Sequence, residues 1–204
     1  MKFNKPYYFK QLEKPSNSWL FKDTNKEVIR KQSRNVMNVE ILNDDEIICM
    51  NKLIDFVKYS QDENENIEEN NNDYLRPAVG LAAPQIGVNK NLFYIRIDNH
   101  EEKPLKEIAA VNAKIISKSV QICAIKVGEG CLSVDNDQKG IVPRNFKIEV
   151  EYWDQLKNEH IFETLRGYEA IVFQHELDHI NATLYYDHIN KEEPFKMEHD
   201  WFLI

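Results

Sequence analysis

The segment that most limits how this chain can fold is an apolar stretch that ends in QHELDHI, residues 174–180. Helical spacing begins near Tyr168, and His175 and His179 stand four apart, so they project from one face of the predicted helix. Two imidazoles placed in this way suit one metal ion. A helix that carries ionisable residues into its buried part usually does so for metal binding or catalysis. The apolar residues that can line its broad face are Ala170, Ile171, Phe173, Leu177 and Ile180.

Glu176 lies beside the first histidine, where a carboxylate could take a proton from water at the ion. Taken alone, the pattern also fits a charged surface helix with two exposed histidines. A catalytic zinc site needs a third protein ligand. One protease pattern places Gly and His three and six residues after His179, but Ala182 and Tyr185 stand there. Glu198 lies at a distance that suits another pattern, yet little helix near the end of the sequence could hold it.

Cys131, in the segment EGCLSV, is the better third ligand because a thiolate binds Zn²⁺ or Fe²⁺ strongly. Gly130 would let the backbone approach a ligand closely, and the N–H of Leu132 could point at a bound oxygen. The alternative interpretation of this segment is a turn between strands with a buried cysteine. Cys49 and Cys123 are interpreted as small core residues, since three cysteines in 204 residues do not form a disulfide framework.

A third motif, VGLAAPQIG, covers residues 79–87. Gly80, Ala82 and Ala83 are small enough to pack backbone against backbone or against a substrate. Gln85 is the one side chain in the motif with an amide donor. The alternative is a tight loop with a surface amide.

Outside the motifs, the sequence predicts an amphipathic helix over roughly 44–60, followed by strands. Alternating apolar residues at 93–97 and strand-like runs at 115–122 and 147–153 favour extended structure. The polar segment at 154–159 predicts a hairpin turn before a return strand. Strands between two helices, joined by short links, indicate an α+β fold, with antiparallel sheets packed around a central C-terminal helix that carries the HExxH pattern.

In this order, VGLAAPQIG, EGCLSV and QHELDHI resemble the three signature motifs of the peptide deformylases, over roughly residues 25–190. The loop before the first motif and the spacing around the second are more similar to the group known from Gram-positive bacteria and their wall-less relatives. The resemblance implies that Cys131, His175 and His179 bind the metal. It also implies that Glu176 is the catalytic acid–base group.

The resemblance further implies that the Gln85 amide and the Leu132 N–H are catalytic, because they stabilise the oxyanion. One residue departs from the family pattern, which usually has glycine where this chain has Ala78. If that backbone needs a positive φ, the alanine would be strained by about 1 kcal/mol. The substrate-binding residues that the resemblance implies are Val79, Gly80, Glu129, Gly130, Ile171 and Val172.

The activity implied by the resemblance is removal of the formyl group from the N-terminal formyl-methionine of newly made polypeptides, with release of formate. The implied cofactor is one divalent metal ion, Fe²⁺ in the cell, for which Zn²⁺, Ni²⁺ or Co²⁺ can substitute. Two alternatives are a zinc endopeptidase and a structural zinc-binding module. A structural site would normally close with a fourth protein ligand, and no further Cys or His lies near the motifs, since His160 and His188 are isolated in the sequence.

The length of 204 residues suits one sizeable core. We predict an irregular N-terminal extension at 1–20 and a single catalytic metal-hydrolase domain at 21–204, with a polar loop insertion at 61–73. The net charge of −8 argues against nonspecific nucleic-acid binding. No run approaches the roughly 20 apolar residues of a membrane span, and no secretory signal is evident. We therefore expect a cytoplasmic bacterial monomer that binds N-formyl-methionyl nascent peptides, with no direct nucleic-acid or membrane contact.

Overall fold

The computed structural model describes residues 13–67, 74–98 and 105–204. Within these ranges, three short 3-10 helices span Asn17–Trp19, Ala83–Ile86 and Tyr185–His188. The α-helices are α1 (Lys26–Ile29), α2 (Asp44–Ser60) and α3 (Tyr168–Ile180). The strands are β1 (Gly80–Ala82), β2 (Leu92–Ile97), β3 (Lys106–Lys118), β4 (Ile122–Ala124), β5 (Arg144–Asn145), β6 (Lys147–Asp154), β7 (Glu159–Arg166) and β8 (Phe202–Leu203). The α+β class is confirmed.

Helix α2 covers the residues where the sequence predicts a helix, and a reciprocal capping box fixes its start. The Asn43 side chain accepts a hydrogen bond from the Glu46 N–H at 3.0 Å, and the Glu46 carboxylate accepts one from the Asn43 N–H at 3.1 Å. The apolar residues Met50, Ile54 and Val57 are buried, as the helical spacing predicts. This helix therefore covers one face of the main sheet.

The main sheet has five antiparallel strands in the order β1-β2-β3-β6-β7. Residues of β2 alternate between its faces, so that Phe93 and Ile95 pack with α3 while Leu92 and Tyr94 pack with α2. The predicted alternation of apolar residues is confirmed, but the opposite face is also buried because α2 covers it. The β6–β7 hairpin around 154–159 is confirmed as well.

A second sheet, in the order β5-β4-β8, corrects two predictions. Its β4–β8 pair is parallel, with Cys123 opposite Phe202, so the sheets are not all antiparallel. The predicted strand at 115–122 is also wrong in its bounds. Strand β3 ends at Lys118, and Ser119 then turns the chain, since its side chain donates to the Gln121 carbonyl at 3.0 Å and β4 begins only afterwards.

The predicted domain bounds fall partly outside the described residues. Of the predicted N-terminal extension, residues 13–20 are described, and Leu20 is buried while Trp19 packs against the core. Of the predicted insertion, residues 61–67 are described as turns. Asn66 is buried there, although the insertion is polar in sequence. Within the described ranges, no helix combines the length and the apolar character that crossing a membrane requires.

We expect Asn66→Ala to lower the free energy of unfolding by about 2–3 kcal/mol, because it leaves buried backbone groups without partners. The Asn66 amide donates to the Ser60 and Leu75 carbonyls at 3.0 and 2.8 Å and accepts from the Leu75 N–H at 2.9 Å. Urea unfolding measures the change. Asn64→Ala, on an exposed residue of the same turn, is the matched control and should change stability by less than about 0.5 kcal/mol. Equal losses in both variants would contradict this.

Candidate metal centre and active site

Helix α3 places the histidine motif in the interior. It follows Gly167, whose φ of 57° and ψ of −128° form a backbone conformation that only glycine adopts readily. In the C-terminal half of the helix, Glu176 and His179 are 3% and 1% exposed, and His175 is partly buried. The predicted surface-helix alternative is therefore wrong for these side chains.

Cys131 meets the two histidines from a loop that follows β4. Its Sγ lies 3.3 Å from the His179 Nε2, and the ligand atoms of Cys131, His175 and His179 all lie within 4.8 Å of one another. In the described parts of the chain, this is the one group of three His, Cys or acidic residues so arranged. Glu198, the other candidate ligand, is exposed and outside the group.

The chemistry of these three donors fits a divalent transition-metal ion. Burial raises the pKa of the Cys131 thiol, but the nearby imidazoles of His179 and His175 outweigh burial and lower this pKa to about 5. The two imidazoles therefore favour the thiolate form of Cys131, which is the form that binds metal. By contrast, burial raises the pKa of Cys49 to about 12 and that of Cys123 to about 11, as their interpretation as core residues requires.

A buried carboxylate holds the His175 ring. The Glu129 carboxylate lies 2.8 Å from the His175 Nδ1 and accepts two hydrogen bonds from Arg144, at 2.8 and 2.9 Å. Burial acts to raise the pKa of Glu129, but the hydrogen bonds from Arg144 and His175 lower it to about 2. With Nδ1 engaged, the Nε2 of His175 is left for the metal.

Arg144 also reaches the opposite side of the motif. Its Nη1 donates to the Asp178 carboxylate at 2.5 Å, and the same carboxylate oxygen lies 2.8 Å from the His188 Nε2. Arg144 and Asp178 were not predicted from the sequence as parts of the site. Asp178 stands inside QHELDHI and was a visible signal, whereas nothing in the sequence near Arg144 indicated that it would lie beside the helix.

Gln85 is oriented by bonds at both ends of its amide. Its Oε1 accepts from the Ala82 N–H at 2.8 Å, and its Nε2 donates to the Ser133 Oγ at 3.2 Å and lies 3.6 Å from the Cys131 Sγ. Ser133 is a further residue that the sequence analysis did not single out. The first and second motifs therefore meet at the thiolate.

Glu176 is buried but only partly satisfied. Its Oε2 has no hydrogen-bond partner among the described residues. Burial is the main cause that raises its pKa, to about 7, although the two histidines act in the opposite sense. The carboxylate lies against Gly80, where an added Cβ would be 2.8 Å from the Glu176 Cδ. Gly80 is therefore required by the close approach of this side chain.

An open cleft of about 360 Å³ lies over these groups. Its lining includes all the predicted catalytic and substrate-binding residues and two of the three candidate ligands, but not His179. These lining residues are Val79, Gly80, Gln85, Glu129, Gly130, Cys131, Leu132, Ile171, Val172, His175 and Glu176. The lining also has residues that the sequence analysis did not assign to the site: Arg76, Pro77, Ile125, Val127, Gly128 and Tyr168.

Ala78, the departure from the family pattern, also lines the cleft but is not strained. It is absent from the non-glycine residues with positive φ. Its N–H donates to the Ser60 Oγ at 3.0 Å, and its carbonyl accepts from the Gln61 Nε2 at 2.6 Å. Ala78 therefore does not adopt the positive φ at which an alanine would be strained.

A buried thiolate and two imidazoles lie in an open cleft beside a carboxylate, one oxygen of which has no partner among the described residues, and together they define a metal-dependent hydrolase. The family profile described as polypeptide deformylase matches residues 19–195. The chain belongs to this family, and it is an enzyme of the peptide deformylase class.

Curated relatives and a solved structure agree with this assignment. A peptide deformylase of Lacticaseibacillus casei is 42% identical over 163 residues, which cover 80% of this chain and 86% of the relative. One of Streptococcus mutans is 40% identical over 173 residues, covering 80% of this chain and 81% of the relative. The crystal structure of peptide deformylase from Thermotoga maritima matches with a TM-score of 0.62 and 26% identity, covering 84% of this chain and 96% of that one. The resemblance to the Gram-positive group is confirmed.

We expect Gly80→Ala to lower deformylase turnover at least about tenfold, because the added methyl group must displace the Glu176 carboxylate. Metal content should stay near one equivalent, since no proposed ligand is touched. Formate release and metal analysis on the same preparation measure the two quantities. Wild-type turnover in a folded Gly80→Ala protein would show that the position of Glu176 is not critical.

Proposed function

We propose that this deformylase removes the formyl group from N-formyl-methionyl polypeptides at the Cys131, His175 and His179 centre. The observation that carries the proposal is the buried Glu176 carboxylate, whose Oε2 has no partner in the described part of the chain. It lies next to three convergent candidate ligand atoms under an open cleft. Release of formate from formyl-Met-Ala-Ser, with no cleavage of internal peptide bonds in an unformylated protein, is the test.

The metal would be held by one thiolate and two imidazoles. When bound, a divalent ion supplies Lewis acidity that polarises the formyl carbonyl and lowers the pKa of water. We propose Fe²⁺ as the ion used in the cell, with Zn²⁺, Ni²⁺ or Co²⁺ able to substitute, because this donor set accommodates all four. The Glu129 carboxylate, which bonds the His175 Nδ1, orients one ligand ring.

Glu176 is the proposed proton carrier. Water adds to the formyl carbon, and the Glu176 carboxylate accepts the proton that water loses. The same carboxyl group then gives this proton to the methionine nitrogen as the carbon–nitrogen bond breaks, which leaves formic acid and a free amine. At neutral pH the formic acid loses its proton to solvent and is released as formate. A carboxyl group whose pKa is about 7 suits both steps near neutral pH, because neither protonation state is strongly disfavoured.

The proposed oxyanion donors are the Gln85 Nε2 and the Leu132 N–H. Gln85 is already oriented by its bonds to Ala82 and Ser133, so little reorganisation is needed when negative charge develops on the substrate oxygen. Donors of this kind are typically worth about 3–4 kcal/mol each in the activation free energy.

We propose that the methionine side chain lies on the apolar part of the cleft lining, against Val79, Ile171 and Val172. Gly80 and Gly130 would let the peptide backbone pass close to the protein. Glu129 lines the cleft too, but both of its carboxylate oxygens already accept hydrogen bonds. Its proposed contribution is therefore to hold His175, with any substrate contact made by its backbone.

The two alternative functions have less support. A structural zinc site would need a fourth ligand, and the group found in the described ranges has three. His188 is engaged with Asp178, and His160 lies 3.2 Å from Glu151. No feature of the cleft favours an endopeptidase over the family's reaction.

The partners proposed for the protein follow from its substrate and charge. Formylated nascent polypeptides are made in the bacterial cytoplasm, where we propose that the protein acts as a monomer. A net charge of −8 opposes contact with phosphate, so we propose that it reaches nascent chains without direct nucleic-acid or membrane binding.

We expect Glu176→Gln to retain about one equivalent of metal and to lose at least about a hundredfold in kcat, because an amide cannot accept the proton. Steady-state formate release and metal analysis check both parts. Near-normal turnover in this variant would remove Glu176 from the mechanism.

We expect Cys131→Ser to lose at least about tenfold in metal affinity, since an alcohol is a poorer ligand than a thiolate. Competition with a chromogenic chelator measures the affinity. Cys49→Ser and Cys123→Ser are the controls. Both residues are buried outside the ligand group, so these variants should lose stability and keep their metal. If purified Cys131→Ser binds metal as tightly as the wild type, the proposed ligand set is wrong.

A further inference from the structure

A segment near the start of the described chain, Phe21–Asp23, joins two loops of the active site. The Phe21 N–H donates to the Gln85 carbonyl at 2.8 Å, and the Asp23 N–H donates to the Ser133 carbonyl at 2.7 Å. Gln85 and Ser133 are themselves bonded through their side chains at 3.2 Å. The segment therefore fixes the positions of both loops relative to each other.

The middle residue of this segment reaches the peptide group between Leu132 and Ser133. The Lys22 ammonium donates to the Leu132 carbonyl at 2.8 Å and lies 3.3 Å from the Asp135 carboxylate. The other end of the same peptide group, the Ser133 N–H, donates to the Cys131 Sγ at 3.4 Å. One peptide group thus connects a lysine ammonium with the thiolate of the metal centre.

We propose that Lys22 is a positioning residue for the reaction. Its ammonium acts through this peptide group on the Cys131 thiolate and on the Leu132 N–H. The inference rests on the proposed function of the site. A hydrogen bond from an ammonium is stronger than one from a neutral donor, and it polarises the peptide group that accepts it. The Ser133 N–H then becomes a better donor to the thiolate, which lowers the charge that the sulfur can give to a metal.

The same bond restrains the backbone at Leu132. Because Lys22 holds the Leu132 carbonyl, the backbone torsions of Leu132 are restricted. This restriction also limits the direction of the Leu132 N–H, the proposed oxyanion donor. The ion pair with Asp135 lies in a partly exposed region, where such pairs contribute little to folding stability. We therefore expect Lys22 to affect the site more than the fold.

The positioning role of Lys22 is tested with the variants Lys22→Met and Lys22→Arg, and Lys26→Met is the control. Lys26 is an exposed lysine just after the segment. Each protein is assayed for formate release from formyl-Met-Ala-Ser and, after Co²⁺ substitution, for the thiolate-to-cobalt absorption band. Lys22→Met should lower kcat roughly tenfold with KM within about twofold, and should shift the band. Lys22→Arg should restore most of kcat and the band position, and Lys26→Met should match the wild type in both.

A folded Lys22→Met protein with the wild-type kcat and cobalt spectrum overturns the proposal. So does a fall in kcat without a band shift, because the proposal requires a change at the Cys131 thiolate as well as at the Leu132 N–H. If Lys22→Met does not fold, Lys22→Gln is measured in its place against the same expectations. A wild-type protein that releases no formate would instead overturn the proposed function, while the cobalt spectra would still decide whether Lys22 acts on the thiolate.

Discussion

The pairing of Arg144 with Glu129 is the interaction on which the rest of the site depends. Both side chains are almost fully buried, at 3% and 4% exposure, so each would be costly to desolvate without the other. Arg144 belongs to the second sheet, Glu129 to the loop that carries Cys131, and their partners His175 and Asp178 to helix α3. One buried guanidinium therefore joins three parts of the chain that are distant in sequence. The cysteine and the histidines can approach one another because this pairing sets where loop and helix meet.

The main sheet gives that arrangement a rigid support. Helix α3 packs on one face and α2 on the other, so β2 is buried on both sides. On the α3 side, Phe93 meets Phe173 edge to face, with ring centroids 5.1 Å apart. Phe173 lies two positions before the first histidine of the motif. The aromatic contact and the two candidate histidine ligands thus share two turns of one helix, and packing of the core fixes the angle at which these histidines project.

The local parts of this structure could be predicted from the sequence, whereas the long-range contacts could not. Helix α2 follows from its capping residues and apolar spacing, and the three residues that converge as candidate metal ligands were singled out from the motifs. The parallel β4–β8 pair joins residues about 80 positions apart, and no turn or periodicity in the sequence records such a pairing. The same limit hid Arg144 and Lys22, because a single basic residue gives no sign of the carboxylate or carbonyl that it will meet.

Glu176 shows how the fold accommodates a group that would be unfavourable elsewhere. A buried carboxylate with one oxygen left without a partner in the described ranges opposes folding, and burial raises the pKa of Glu176 by disfavouring the charged form. Helix α3 cannot turn this side chain away without also rotating His175 and His179, since all three lie within little more than one turn of the same helix. Because residue 80 is glycine, it has no Cβ that would collide with the Glu176 carboxylate. Strand β1, which precedes Gln85, can therefore pass close to this carboxylate. The free energy that holds Glu176 in place therefore comes from the apolar layers on both sides of the sheet, at a distance from the reacting atoms.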